Sequence, residues 1–211
     1  MEPMTTPLAG ARHERVRDAA RALWLEHGYQ TSMDAIARRA GCSKQTVYAH
    51  FGSKEELFRH VVEDLMAPIM ACLEPGEGDL EATLTAFARS YGDTLATAET
   101  QARRRIAFTE APRYPDLAKG LYRGGLGHLV DRLAEVLGEA MRRGTLRRDD
   151  PAQAAELFLG LCFGVESERH LLGVARRRTL AERHAWTDAA VAAFLRAYAP
   201  SFPLSLSRKQ S

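Results

Sequence analysis

Cysteine is scarce: the 211 residues hold three, Cys42, Cys72 and Cys162, far apart and in no CxxC pair. An odd, dispersed set excludes a disulfide framework. Each is expected to be a small buried hydrophobe in a reducing compartment, with redox sensing as the alternative. Metal spacing is missing as well. The seven histidines form no HExxH and no His/Cys cluster, and His170 and His184 stand isolated, so no metal site is expected. There is no GxSxG and no Gly-rich phosphate loop, which argues against an enzyme and against a bound cofactor. No run of 18 apolar residues occurs, and the opening MEPMTTPLAGARHERVR has no apolar stretch. The expectation is a cytoplasmic protein with no membrane partner. An excess of one charge is lacking too. Twenty-nine Lys and Arg against 27 Asp and Glu leave +2, too little to hold nucleic acid by bulk attraction, though not to rule out a small local reading head. What remains is an apolar share of 45%, an ordinary globular composition, in a chain long enough to bury about 70% of its unfolded surface unaided.

Alternating runs rich in β-branched residues are also missing, whereas spacings of three and four recur throughout, so the fold class is all-α. Val16, Ala19, Ala20, Leu23 and Trp24 make one stripe, which Gly28 ends. Thr31 or Ser32 caps a short second helix carrying Met33, Ile36, Ala37 and Ala40; Gly41 breaks it, and Ser43 caps a third through about His50. Ser53 and Glu56 suit a capping box for a fourth, which leaves this group without a polar linker. A loop follows at 74–79, then helical stretches at about 79–97, 100–111, 115–123, 125–143, 151–173 and 180–198. The reading is a three-helix head over 12–53, a larger helical body over 54–200, and flexible tails at 1–11 and 201–211, about nine helices in all.

Residues 32–51, SMDAIARRAGCSKQTVYAHF, have the layout of a helix-turn-helix, which presents its second helix to the major groove of duplex DNA. That helix offers Lys44, Gln45, Thr46 and Tyr48. Gln45 can donate to and accept from an adenine edge, and Thr46 can meet a thymine methyl or a phosphate. Ser32, Tyr48, His50 and Lys54 are candidates for phosphates at the groove rim. Over 12–54 there are eight Lys or Arg against four acids, a local excess larger than that of the whole chain.

Residues 15–65 closely resemble the DNA-binding region of the TetR family of bacterial transcriptional regulators. The resemblance runs through Gly28 and Thr31, Ile36–Ala37–Ala40–Gly41–Ser43, Val47–Tyr48, Phe51 and the Ser53–Lys54–Glu55–Glu56–Leu57 run. It implies a homodimer, commonly a repressor released by a small molecule, and operator contacts at Ser32, Lys44, Gln45, Thr46, Tyr48, His50 and Lys54. Gln45 departs from the small residue the family often has there, which suggests that it reads a base. The segment 103–125 is also similar to a subgroup with a basic helix, an acidic residue and then Tyr-Pro-Asp-Leu.

Two reading heads on a palindromic operator sit about 34–36 Å apart, so the body is expected to dimerise, with completion of a monomeric core as the alternative for its last two helices. The last two helices are the best self-pairing material, with Phe158, Leu161, Val165, Leu172, Phe194, Leu195 and Tyr198 as interface candidates for a four-helix bundle. A pocket is expected among Met66, Met70, Phe87, Tyr91, Phe108, Tyr122 and Cys162, with Arg104, Glu110, His128 and Glu166 as its polar groups. Packed core is the competing reading for the apolar ones. The expected effector is mainly apolar or aromatic, tilting the heads through the helix at 54–72. An activator, a ligand-independent DNA-binding regulator, or an enzyme using the body cavity are the alternatives.

Overall fold

The computed structural model describes residues 7–74, 79–174 and 178–200, and all side chains among them except those of 7–10, 116 and 117. The expected tail at 201–211, most of the loop at 74–79 and the first six residues lie outside them. The described residues are helical with no strand: α1 Pro7–His27, α2 Met33–Ala40, α3 Lys44–Phe51, α4 Lys54–Ala71, α5 Leu80–Ala96, α6 Ala98–Glu110, α7 Pro115–Tyr122, α8 His128–Arg142, α9 Pro151–Leu171 and α10 Leu180–Ala197. A π-helical turn, Arg123–Gly127, joins α7 to α8 without a break, so these segments make nine rods. The all-α class is as expected. One boundary moves: α1 begins at Pro7, so part of the expected flexible tail is helix. A proline suits the first helical position, where its missing N–H has no partner to lose.

Side-chain caps set most of the helix starts. Ser32, Ser43 and Ser53 accept hydrogen bonds from the amides of Ala35, Thr46 and Glu56. Only half of the expected box at α4 forms, because the Glu56 carboxylate turns to Arg59 at 2.7 Å. A complete capping box does open α10, between Thr179 and Glu182. Such caps are worth about 1 kcal/mol each, enough to fix where short helices begin.

Two apolar clusters result. The first joins Val16, Ala20 and Trp24 of α1, Ile36 of α2, Val47 and Phe51 of α3, and Leu57 and Val61 of α4. The second joins Ile69 and Leu73 to Leu84 and Phe87 of α5, Leu129, Leu133 and Leu137 of α8, Phe158 of α9 and Phe194 of α10. In the body α5 lies along α10 and α8 along α9. A two-bond pair fixes the first contact, Arg89 Nε to Asp188 Oδ1 at 2.9 Å and Nη2 to Oδ2 at 2.6 Å.

α4 serves both clusters without a break, even though Pro68 lies inside it and cannot donate to the Asp64 carbonyl. Arg17 of α1 holds the Asp64 carboxylate at 2.6 Å. The body meets α4 through the π-turn. A Cβ on Gly124 would lie 3.1 Å from Arg59 Cγ, and one on Gly125 3.4 Å from Val62 Cγ1. Tyr114, at the start of α7, packs its ring 5.8 Å from that of Tyr29 in the head.

Candidate nucleic-acid interface, cavity and self-pairing face

The turn between α2 and α3 depends on Gly41, whose φ of 66° is left-handed and whose N–H returns to the carbonyls of Ala37 and Arg38. With Val47 and Phe51 facing inward, α3 leaves Lys44, Gln45 and Tyr48 exposed on its other side. Tyr48 is 43% exposed, so it is a surface tyrosine and not a core one. Thr46 is half-buried, its hydroxyl 2.8 Å from that of the capping Ser43. Lys44 Nζ pairs with Asp34 of α2 at 3.0 Å, an exposed pair that a phosphate would compete with. Lys54 stands 4.1 Å above the Tyr29 ring, and burial holds its ammonium below the ordinary lysine range. Burial next to Glu55 pushes the Tyr29 phenol up, and the hydroxyl donates to Glu55 at 3.3 Å. Asp34 and Tyr29 therefore position two of the expected cations, a role that spacing alone did not reveal.

His50 belongs to a ring cluster centred on His13. The His13 ring lies 4.1 Å from Phe51, 5.7 Å from His50 of α3 and 5.8 Å from His60 of α4. Burial, then Arg17, His60 and His50, hold the His13 imidazole below its ordinary value, with Asp64 opposing them. A histidine with a depressed folded pKa is protonated more readily in the unfolded chain. Its contribution is therefore present above about pH 6.5 and is lost as pH falls through that value toward the folded pKa. Thermal unfolding of the wild type should drop more steeply between pH 7.5 and 5.5 than that of His13→Gln; parallel curves would show that His13 has no such linkage.

In the body, a cavity of about 340 Å³ lies between α5, α6, α9 and α10. Of the expected pocket residues it gathers Arg104, Cys162 and Glu166. Tyr91 stands behind its wall, 5.0 Å from the Phe163 ring. The other candidates lie elsewhere. Phe87 is fully buried core; Phe108 and Tyr122 are 60% and 55% exposed. Met66 and Met70 pack against the body cluster, and His128 is exposed. Glu110 sits at the end of α6 with Oε2 buried and without a hydrogen-bond partner among the described residues. Helical period gives each side chain a face, but which faces converge depends on how the helices cross. Sequence reasoning missed Phe163, Ser167, His170, Arg178, Arg183 and Trp186 as lining residues. A signal was available, since Phe163, Glu166, Ser167 and His170 follow the three-and-four spacing of one face. Burial pushes the Cys162 thiol up to about 12, which keeps it protonated and makes redox sensing there unfavourable.

The interface candidates divide into two groups. Phe158, Phe194 and Tyr198 are 0%, 2% and 3% exposed in the body core, so they are not available to a second subunit. Leu195 is partly buried against the same core. By contrast Leu161, Val165 and Leu172 are 43%, 66% and 74% exposed, and Leu157 is exposed beside them. Gly160 and Gly164 share this open side of α9, and beyond its own turn of helix a Cβ added at either would meet no atom of the described residues within 4 Å. The broad apolarity of this helix thus has two destinations: one face completes the core and the other is left uncovered.

No described helix is long and apolar enough to cross a membrane. Residues 16–61 match the family described as "Bacterial regulatory proteins, tetR family", and residues 82–200 that described as "AefR-like transcriptional repressor, C-terminal domain". The transcriptional regulator UidR of Escherichia coli K12 is 26% identical over 86% of this chain and 93% of its own. Among solved structures, a TetR-family regulator from Mesorhizobium loti is 31% identical, covering 92% of this chain and 100% of its own, with a TM-score of 0.75. The flavonoid-responsive regulator FrrA is 36% identical, with the same coverage of both chains and a TM-score of 0.75. A helix-turn-helix whose reading face is polar and open, on a helical body matched over its length, places the chain plainly: it belongs to the TetR family of bacterial transcriptional regulators.

Proposed function

We propose that this regulator is a repressor that grips a palindromic operator as a homodimer and releases it when a small, mainly aromatic effector enters the body cavity. The observation that carries the reading is the exposed polar face of α3, Lys44, Gln45 and Tyr48, held at a fixed angle by Gly41 and the Ser43 cap. Ser32, Thr46, His50 and Lys54 complete the proposed DNA contacts around it. The uncovered apolar side of α9 supplies a face for the second subunit. The repressor sense draws support from the AefR-like description of the body, and the aromatic effector from the flavonoid-responsive FrrA.

Release follows from the connectivity. The cavity is walled by α6, which touches α1 of the head, and by α9, which packs along α8; the rod of α7, π-turn and α8 leans on α4. An effector that fits one arrangement of these helices better than another shifts the separation of the two heads. Differential affinity of about 1–3 kcal/mol suffices for regulation.

Selection of duplexes from a random pool tests the DNA half of the reading. Two inverted half-sites are the expected product, and Gln45→Ala should relax one position in each by about 1–3 kcal/mol of discrimination while other positions keep theirs. An unchanged preference in that variant would remove Gln45 from base reading. Addition of a flavonoid such as luteolin to the selected complex tests the effector half, with release expected.

A further inference from the structure

We infer that the effector carries an anionic oxygen on its aromatic frame, and that Arg104 is the group that receives it. This rests on the proposed effector site and names the chemistry of its ligand. Among the described residues that line the cavity, every charged side chain but Arg104 has an oppositely charged partner within 4 Å. Arg183 is matched by Asp93, Nη2 to Oδ1 at 2.9 Å, and the same carboxylate takes His184 at 2.8 Å. Arg178 lies 3.9 Å from Glu166, which Arg169 approaches at 3.2 Å. Arg104 has no carboxylate among the described residues. Its Nη2 donates to the Ser167 hydroxyl at 2.6 Å, and its Nη1 is buried with no hydrogen-bond partner among the described residues.

A guanidinium stays charged in any protein setting, so a buried donor on it left unmatched is costly. Arg104 lines the cavity, where Nη1 can donate a charge-assisted hydrogen bond to an incoming carboxylate or phenolate oxygen, and a carboxylate can also take a second bond from the planar fork. The rest of the wall sets the frame. Trp186 donates its indole N–H to the Cys162 carbonyl at 2.8 Å, which fixes the ring. The Arg178 guanidinium lies 5.0 Å from that ring, and Phe163 faces the same space. Flat aromatic surface beside one unmatched cation describes a planar aromatic anion, and about 340 Å³ accommodates a molecule of two or three rings.

The test titrates the full chain with 2-naphthoate, with its neutral isostere 2-naphthamide, and with 4-nitrophenol above and below the pKa of that phenol. Affinity is measured by calorimetry and the effect on the selected duplex alongside it. Naphthoate or nitrophenolate should bind about 10- to 100-fold more tightly than its neutral counterpart. Arg104→Gln should erase most of that preference, and Arg104→Lys should keep part of it. A preference confined to naphthoate assigns a carboxylate; one shared with nitrophenolate admits a phenolate. Equal binding of naphthoate and naphthamide, with duplex release by both, overturns the anionic group and leaves the effector reading standing. A preference that survives Arg104→Gln overturns Arg104 as the receiving group. If no compound binds, both fall.

Discussion

Replacing Leu161 and Val165 together by glutamate is expected to convert the protein to a monomer and to weaken operator binding by about 10²- to 10⁴-fold. That is the range lost when two tethered binding events become independent ones. The two side chains lie one turn apart on the open side of α9, 43% and 66% exposed, with Leu157 and Leu172 extending the stripe. A stripe of this kind is self-complementary across a two-fold axis, and Gly160 and Gly164 let a partner helix come close. Four carboxylates across such an axis would be both desolvated and mutually repelled. Because neither residue is buried within the subunit, the monomer should keep its helix content. Sedimentation and duplex titration read the two effects. A double variant that remains dimeric would place the interface elsewhere.

Phe158→Ala should do the opposite: it should cost about 3–5 kcal/mol of folding stability, the range for emptying a buried aromatic position. Phe158 is three residues from Leu161 on the same helix, yet it is fully buried, its ring 5.1 Å from Phe194 and 6.2 Å from Phe87. The space it leaves is bounded by α5 and α10, which the Arg89–Asp188 pair holds together, so collapse around it is restricted. Denaturant unfolding measures the loss. A cost under about 1 kcal/mol would mean that the ring is not the core anchor described here.

These two residues also show how far the sequence can be read. The head is legible in detail because its signals are local: a capping serine, a left-handed glycine and a three-and-four stripe lie within a few residues of one another. Tyr48 and its neighbours on α3 emerge where the pattern puts them. In the body, α9 is apolar all round, and period alone does not tell a face that meets the core from one that meets another chain. Pattern therefore assigns Phe158, Phe194 and Tyr198 to an interface, while the structure buries them. The cavity is harder still. Arg104, Ser167 and Trp186 are up to 82 residues apart in sequence and come together only through the crossing of α6, α9 and α10. Polar residues spaced like Glu166, Ser167 and His170 resemble an ordinary solvated stripe until a neighbouring helix covers them.

On the proposed function, two copies of α3, carried on one dimeric body, read two half-sites on the same side of the duplex. Inserting about five base pairs at the centre of the selected palindrome rotates one half-site by half a helical turn, away from its reading head. Duplex titration at fixed salt should then show affinity falling to that of a single half-site, with partial recovery when a full turn is inserted only if the body can stretch. Undiminished affinity for the half-turn insertion would show that the two heads do not engage both half-sites from one side of the duplex.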